Sequence, residues 1–168
     1  IIGGLDTDYM GSCVVRNKEM SSLSDVECCT LRSRYISYVY QFFNLISFLT
    51  VKENVCLASQ IKGKKVDEKE LNQVLKLLGL EHKKDRFANE LSGGQQQRVA
   101  IARAILAHTD IILADEPTGN LDGENAKNVM DILKALNKEG KTIVLVTHDL
   151  KIANYADRII RLEQGKIV

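Results

Sequence analysis

Two adjacent carboxylates, Asp115 and Glu116, are the residues of this sequence best suited to metal binding and acid–base chemistry. They follow the apolar run at 111–114, which is short and rich in β-branched residues and is therefore typical of a buried parallel strand. Open α/β sheets bind their ligands at the carboxyl ends of the strands. The pair therefore lies where a ligand is expected.

A second chemical feature, Ser92-Gly93-Gly94, comes before a run of strong helix formers from Gln95 to Ala107. Ser92 is a favourable N-cap, and the two glycines let a ligand approach the backbone closely. The free N–H groups at the start of a helix, together with its dipole, bind anions such as phosphate. An anion site near paired carboxylates indicates metal–nucleotide chemistry.

The sequence LSGGQQQR at 91–98 resembles the signature motif of ABC-type ATPases, and IILADEPTGNLD at 111–122 resembles their Walker B strand and D-loop. An ordinary capped helix that leads into an ordinary strand is the alternative, but two motifs at this spacing are far more specific than either alone. The resemblance implies an α/β fold, the P-loop NTPase (RecA-like) ABC ATPase core with an inserted small helical subdomain, incomplete at the N-terminus.

Two further positions match motifs of that family. Gln41 follows a predicted strand and resembles the Q-loop glutamine, about fifty residues before the signature motif. His148, in Thr147-His148-Asp149, follows another apolar strand and resembles the switch histidine. Since both strands are expected to end at the same sheet edge as Asp115, the functional interpretation is favoured for both residues.

The resemblance implies a role for each residue in hydrolysis of ATP. Asp115 would bind Mg²⁺, with Gln41 also near the metal, and Glu116 would polarise the attacking water as general base. Gln41 would help to order that water. His148 would contact the γ-phosphate and hold Glu116 in place. The predicted catalytic residues are therefore Glu116, His148 and Gln41, and the predicted metal ligands are Asp115 and Gln41.

The signature motif implies a second copy of the ATPase. Ser92, Gly93, Gly94 and Gln95 would bind the γ-phosphate of a nucleotide held by the partner, so that each site needs a head-to-tail dimer. Asp122 would lie at the dimer interface as a switching residue, or would equally serve as the N-cap of the next helix.

The phosphate-binding P-loop pattern, GxxxxGK[ST], does not occur in this sequence. Gly140-Lys141-Thr142 fails because Ala135 stands where the first glycine is needed, and because a strand rather than a helix follows. The opening residues, Ile1-Ile2-Gly3-Gly4-Leu5, resemble the family sequence just after the P-loop. We therefore expect an N-terminally truncated chain that does not hydrolyse ATP by itself.

The resemblance predicts three parts of the chain: 1–45 for the N-terminal core with the start of the Q-loop, 46–91 for the helical subdomain, and 92–168 for the signature helix, Walker B, D-loop, switch histidine and C-terminal core. Strands are predicted at 11–16, 35–40, 142–146, 158–162 and 167–168. Helices are predicted at 66–80, where Asp67 and Glu70 are spaced like a capping box, at 124–138, and briefly within 21–34.

The net charge and the cysteine positions limit which partners and which metal or disulfide sites the sequence predicts. The formal net charge is +1 over 168 residues, which gives no electrostatic reason to expect nucleic acid as a partner. The four cysteines form no CxxC pair, so a zinc site is not expected, and reduced thiols are favoured over a disulfide. Arg98 and Arg103 are expected to form solvated salt bridges, and no chemistry is assigned to His108.

Four segments together, GGLD, QFFNL, LTVKENV and ADEPTGNLD, resemble the ATPases of macrolide, lipoprotein and antimicrobial-peptide exporters and of the cell-division ABC complex. This implies a transmembrane permease subunit or domain as partner, and a cytoplasmic position at the inner face of the cell membrane. Phe42, Phe43 and Phe48 would either belong to the core or form the docking groove. Thr109 stands where the family often has proline, which should only loosen a turn.

Three other classes of ABC protein are alternatives to a transporter subunit. A chromosome-maintenance ABC ATPase would carry a long coiled coil between the Q-loop and the signature motif, for which about fifty residues leave no room. A translation-factor type would carry two such domains and no membrane partner. A catalytically deficient regulatory ABC protein would lack the P-loop altogether. The last two alternatives stay open from the sequence, although the segment after Gln41 favours a membrane subunit.

Overall fold

The computed structural model describes residues 1–168, which form seven strands and six α-helices. The strands are β1 (Val14–Val15), β2 (Lys18–Glu19), β3 (Ile36–Tyr40), β4 (Ile111–Asp115), β5 (Thr142–Val146), β6 (Leu162–Glu163) and β7 (Lys166–Ile167). The helices are α1 (Asp25–Tyr35), α2 (Val51–Ile61), α3 (Glu68–Leu77), α4 (Gly93–Leu106), α5 (Gly123–Lys138) and α6 (Leu150–Ala153). No helix combines the length and apolar character that crossing a membrane requires.

The central sheet contains three parallel strands in the order β3-β4-β5. The register pairs Tyr40 with Asp115 and Asp115 with Val146, so that all three strands end at one level. The sequence prediction of strands at 35–40, 111–114 and 142–146 is confirmed. Parallel pairing requires crossover connections, and these contain helices α2 to α4 in the first and α5 in the second.

The helices begin where side chains cap them. Reciprocal capping boxes start three helices, with the pairs Ser24 and Glu27 in α1, Thr50 and Glu53 in α2, and Ser92 and Gln95 in α4. The Thr50–Glu53 spacing is the sequence signal for α2, which was not predicted as a separate helix. The expected pairing of Asp67 with Glu70 in α3 is wrong, because the Asp67 carboxylate accepts from the backbone N–H of Lys69 instead.

Helix α4 lies at the centre of the main hydrophobic core. It packs against α2, α3, α5 and β3, and its buried apolar residues are Val99, Ala100, Ile101, Ala102, Ala104 and Leu106. The core cluster of 22 buried residues joins Val39, Val55 and Leu133, one from each of the three predicted parts of the chain. The division into those parts stays a prediction, since the three share this core.

Strand β5 differs from the buried strand that its apolar sequence predicts. It pairs only with β4, so it is an edge strand of the described sheet, and Val146 is 57% exposed. Of the strand predicted at 11–16, only β1 (Val14–Val15) is observed. It ends there because Arg16 and Asn17 both have positive φ and form a tight hairpin turn to β2. The C-terminal hairpin is likewise shorter than predicted, with Gln164 and Gly165 at its turn.

Thr109 does more than occupy a turn. Its hydroxyl is buried and lies 2.9 Å from the Ser37 hydroxyl on β3, to which it donates a hydrogen bond. The expectation that this residue only loosens a turn is therefore wrong. The contact joins the segment before β4 to the neighbouring strand.

Replacement of Thr109 by valine is expected to lower the free energy of unfolding by about 1–3 kcal/mol, because it leaves the buried Ser37 hydroxyl without a partner. Thr30→Val is the matched control, since the Thr30 hydroxyl donates to Val26 on the exposed side of α1. Denaturant unfolding of residues 1–168 measures both variants. Equal losses in the two would contradict a stabilising role for the buried contact.

Candidate active site

The predicted chemical residues meet at the carboxyl edge of the central sheet. Gln41 follows β3, Asp115 ends β4 with Glu116 next, and His148 lies two residues after the end of β5. Because the strands are parallel and in register, Gln41 and Glu116 leave adjacent strands at the same level. The structure therefore brings together four of the residues predicted from separate motifs.

Glu116 is the most constrained residue of this edge. Its backbone has a φ of 44°, which is uncommon for a residue with a side chain, and its N–H donates to the Val146 carbonyl at 2.9 Å. The carboxylate atom Oε1 accepts the backbone N–H of His148 at 2.9 Å and contacts its ring atom Nδ1 at 2.7 Å. The other oxygen, Oε2, accepts the Thr147 hydroxyl at 3.3 Å. The carboxylate is thus oriented from one side by the β5 end.

The contact between His148 and Glu116 is also an electrostatic one. The pKa of His148 is raised, first by the hydrogen bond to the Glu116 carboxylate and then by its negative charge. The imidazole is 85% exposed, whereas the Glu116 side chain is 20% exposed. The Nδ1 atom of the ring therefore contacts Glu116, and the rest of the ring is exposed.

Gln41 contacts the turn after Glu116 rather than the carboxylates. Its amide Nε2 donates to Asn120 Oδ1 at 3.3 Å, and Asn120 Nδ2 donates to the Gln41 carbonyl at 3.0 Å. The side chain also covers Gly119, where a Cβ atom would lie 2.7 Å from Gln41 Nε2. Gln41 makes no hydrogen bond to Asp115 or Glu116 in this conformation.

Asp115 is exposed and forms no salt bridge. It borders an open cavity of about 540 Å³ that lies between residues 1–5 and the sheet. No cluster of three or more metal-ligating side chains occurs in the structure. Mg²⁺ needs only one or two carboxylates, because waters and substrate phosphates complete its shell, so a free carboxylate at this edge fits the ion.

The signature segment serves first as the start of α4. The Ser92 hydroxyl accepts the Gln95 N–H at 3.4 Å, and Gln95 Oε1 accepts the Ser92 N–H at 3.1 Å. Ser92 is exposed and Gly94 is buried. A Cβ atom on Gly94 would overlap Asn125 Oδ1, while one on Gly93 would have 3.6 Å to its nearest neighbour. Gly94 is therefore required for the packing of α4 against the start of α5.

Asp122 is the N-cap of α5, one of the two roles left open by the sequence. Its carboxylate accepts the backbone N–H of Asn125 at 2.9 Å and the side-chain Nδ2 of the same residue at 2.8 Å. These hydrogen bonds lower the pKa of Asp122. The same Asn125 that limits the space at Gly94 is thus held by Asp122, and a role for Asp122 at a dimer interface stays a prediction.

Arg103 supports the carboxyl edge of the sheet through a contact that the sequence does not predict. Arg103, expected in a solvated salt bridge, instead donates to the Asn44 carbonyl at 2.6 Å and to the Phe43 carbonyl at 3.0 Å. Phe43 and Asn44 both have positive φ, so Arg103 holds a sharp turn directly after Gln41. No local pattern could reveal this contact, because the partners are about sixty residues apart.

The aromatic residues after Gln41 are distributed between surface and interior. Phe42 is 74% exposed and Phe48 is 75% exposed, so neither belongs to the core. Phe43 is partly buried, with its ring edge near Gly93. Two large apolar side chains of the segment after Gln41 therefore lie on the surface.

A parallel sheet with a carboxylate pair at its carboxyl edge, a histidine from the next strand and a capped glycine-rich helix start defines a class, the α/β core of the P-loop NTPases. The family model described as "ABC transporter" matches residues 1–119. By this match, the chain belongs to the ABC transporter ATP-binding family.

Individual relatives agree with this assignment. A macrolide export ATP-binding/permease protein MacB of Campylobacter jejuni is 48% identical over the whole chain, which covers 26% of that protein. An uncharacterized ABC transporter ATP-binding protein of Methanocaldococcus jannaschii is 42% identical, with 100% of this chain and 76% of that protein covered. The chain thus spans about a quarter of the length of the macrolide-export relatives it matches.

A solved ATP-binding cassette, described as a dimer in a post-hydrolysis state bound to ADP and Pi, superimposes with a TM-score of 0.87. That cassette is 42% identical, with 99% of this chain and 75% of its own chain covered. Likeness in both sequence and fold confirms the ABC ATPase core that the two motifs predict.

Gly94→Ala is expected to lower the free energy of unfolding of residues 1–168 by about 1–3 kcal/mol, since the added methyl group overlaps a held side chain. Gly93→Ala is the matched control, because a methyl group there meets only ordinary contacts and alanine favours helix. Thermal or denaturant unfolding distinguishes the two. If Gly94→Ala were as stable as Gly93→Ala, the packing requirement at Gly94 would be wrong.

The pKa of His148 is expected to fall in Glu116→Gln, because the substitution removes the carboxylate that stabilises the imidazolium form. A raised folded-state pKa means that the contact stabilises fully below the unfolded value of about 6.5, and that this contribution is lost as the pH rises through the folded pKa. NMR titration of the His148 ring measures the shift. Glu124→Gln, an exposed change on α5, should leave the titration unaltered.

Proposed function

We propose that this chain forms the ATP-hydrolysing part of an ABC exporter, which couples hydrolysis to export or extraction of a substrate at the membrane. The observation that carries the proposal is the Glu116 carboxylate, which two donors from His148 orient at the strand end beside Asp115. The names of the macrolide-export relatives support the exporter subtype.

Hydrolysis of ATP depends on positioning, neutralisation of charge and an oriented water rather than on covalent catalysis. Glu116 accepts the proton of the attacking water. Its Oε1 is already occupied by His148, whereas Oε2 has a single donor, Thr147, at 3.3 Å. Oε2 is therefore the oxygen best placed to receive the proton.

The neighbouring side chains complete the proposed site. Asp115 would hold Mg²⁺, which when bound neutralises charge on the phosphates. His148 keeps the Nδ1 edge of its ring on Glu116 and would offer the exposed edge to the γ-phosphate. Gln41 would order the attacking water and approach the metal, for which its amide must leave Asn120.

Two partners follow from the proposal. Ser92, Gly93, Gly94 and Gln95 would bind the γ-phosphate of ATP held by a second copy in a head-to-tail dimer, with Asp122 at the interface. Phe42 and Phe48, which are exposed, would contact a transmembrane permease subunit or domain. The chain would then lie at the cytoplasmic face of the membrane. These exposed aromatic residues favour the exporter over a translation-factor ABC protein, which has no membrane partner.

The test uses an extended chain, which we define as residues 1–168 preceded by a GxxxxGK[ST] segment. Glu116→Gln is expected to lower ATP turnover by about a hundredfold or more while ATP binding persists, because the amide keeps the shape but loses the base. ATP hydrolysis and nucleotide binding are measured side by side. Glu124→Gln is the matched control and should stay within twofold of the parent.

The proposed head-to-tail dimer is tested with variants of the same extended chain. Glu116→Gln should sediment as a dimer with ATP and Mg²⁺, and an added Ser92→Arg should prevent this, since the larger side chain fills the space of the partner's phosphate. Ser33→Arg, at an exposed position on α1, is the control and should leave dimers intact. Turnover that survives Glu116→Gln would refute the base, and dimers that survive Ser92→Arg would refute the partner site.

A further inference from the structure

Gln97 is a completely buried polar residue within α4 to which the proposed function gives no role. It is 0% exposed, and its amide Nε2 donates to the Pro117 carbonyl at 2.6 Å. Its other amide atom, Oε1, is buried without any hydrogen-bond partner. One half of this side chain therefore makes a short hydrogen bond, and the other half is left unsatisfied.

An apolar residue at this place would remove the unpaired acceptor, but it would leave the Pro117 carbonyl without its donor. A buried acceptor without a partner destabilises the folded state, and a methionine of similar length would avoid that penalty. Helix α4 gains nothing from the amide, since glutamine and methionine have similar helix propensity. The one favourable contact that the amide adds is the donation to Pro117.

Pro117 follows directly after Glu116, the residue with the left-handed backbone. A residue with a side chain holds this conformation only where the surrounding structure fixes it. The Val146 carbonyl fixes the N–H before the bend. After the bend, the Gly119 N–H donates to the Glu116 carbonyl at 3.0 Å within the local turn. Pro117 has no N–H, and Gln97 provides the one hydrogen bond that its carbonyl accepts, so Gln97 is the contact that fixes this turn from another element.

We propose that Gln97 is a positioning residue for the catalytic base. By holding the Pro117 carbonyl from α4, it keeps Glu116 in its left-handed conformation and its carboxylate aimed at the attacking water. Because α4 begins at the signature segment, the same contact sets the base relative to the helix whose start would meet the partner's nucleotide. This inference rests on the proposed function, since it assigns Glu116 as the base.

Gln97→Met in the extended chain removes the donor and keeps the size of the side chain. Turnover (kcat) is expected to fall by about tenfold or more with KM for ATP within about twofold, because a small displacement of a catalytic group slows the chemical step far more than binding. Gln96→Met is the matched control. It removes a similar amide hydrogen bond on the same helix, from Gln96 Nε2 to the Leu91 carbonyl at 3.0 Å, and should leave kcat unchanged.

The outcomes separate this inference from the function on which it rests. If the parent extended chain hydrolyses ATP and Glu116→Gln does not, the proposed function stands. An unchanged kcat in Gln97→Met then overturns the positioning role alone. Equal losses in Gln97→Met and Gln96→Met would also overturn it, because the effect would then belong to the helix in general. A parent without turnover overturns both.

Gln97→Glu provides a second test should Gln97→Met fail to fold. Burial raises the pKa of a carboxyl group, and its neutral form keeps an O–H donor that can reach the Pro117 carbonyl. Turnover of Gln97→Glu, divided by that of the parent at each pH, is expected to be higher at about pH 6 than at about pH 9. The division removes the effect of His148, which the two chains share. A ratio that does not vary with pH overturns the proposal.

Discussion

The in-register parallel pairing of β3, β4 and β5 is the constraint on which the site depends. Parallel strands that start at one level end at one level, so residues far apart in the chain leave the sheet side by side. Gln41, Glu116 and Thr147 each occupy the first position after a strand. A slip of one residue in either pairing would turn alternate side chains to the opposite face and separate these groups.

The bend at Glu116 costs conformational energy, and contacts from separate elements maintain it. A left-handed residue with a side chain costs about 1–3 kcal/mol, which the surrounding structure must offset. The β5 end supplies the Val146 carbonyl and the His148 donors, and α4 supplies the Gln97 amide. Part of the backbone strain at this sheet edge therefore lies in the residue whose carboxylate must be aimed.

Helix α4 packs against α2, α3, α5 and β3, and several of its buried side chains are small. Ala100, Ala102 and Ala104 are buried and let neighbouring elements approach closely, while Ile101 and Leu106 fill the remaining space. From the same helix, Arg103 holds the turn after Gln41 and Gln97 holds the turn after Glu116. Packing and site geometry thus share a single element.

Local patterns in the sequence determined the central strands, the capped start of α4 and the family, because each depends on residues within a few positions of one another. The candidate residues Asp115, Glu116 and His148 were likewise recognisable from their place after apolar strands. Only the tertiary structure decided the partners of Gln97, Arg103 and Thr109, which lie 20, 60 and 72 residues away along the chain. It also decided the order β3-β4-β5, since an apolar sequence does not show which strands will be neighbours.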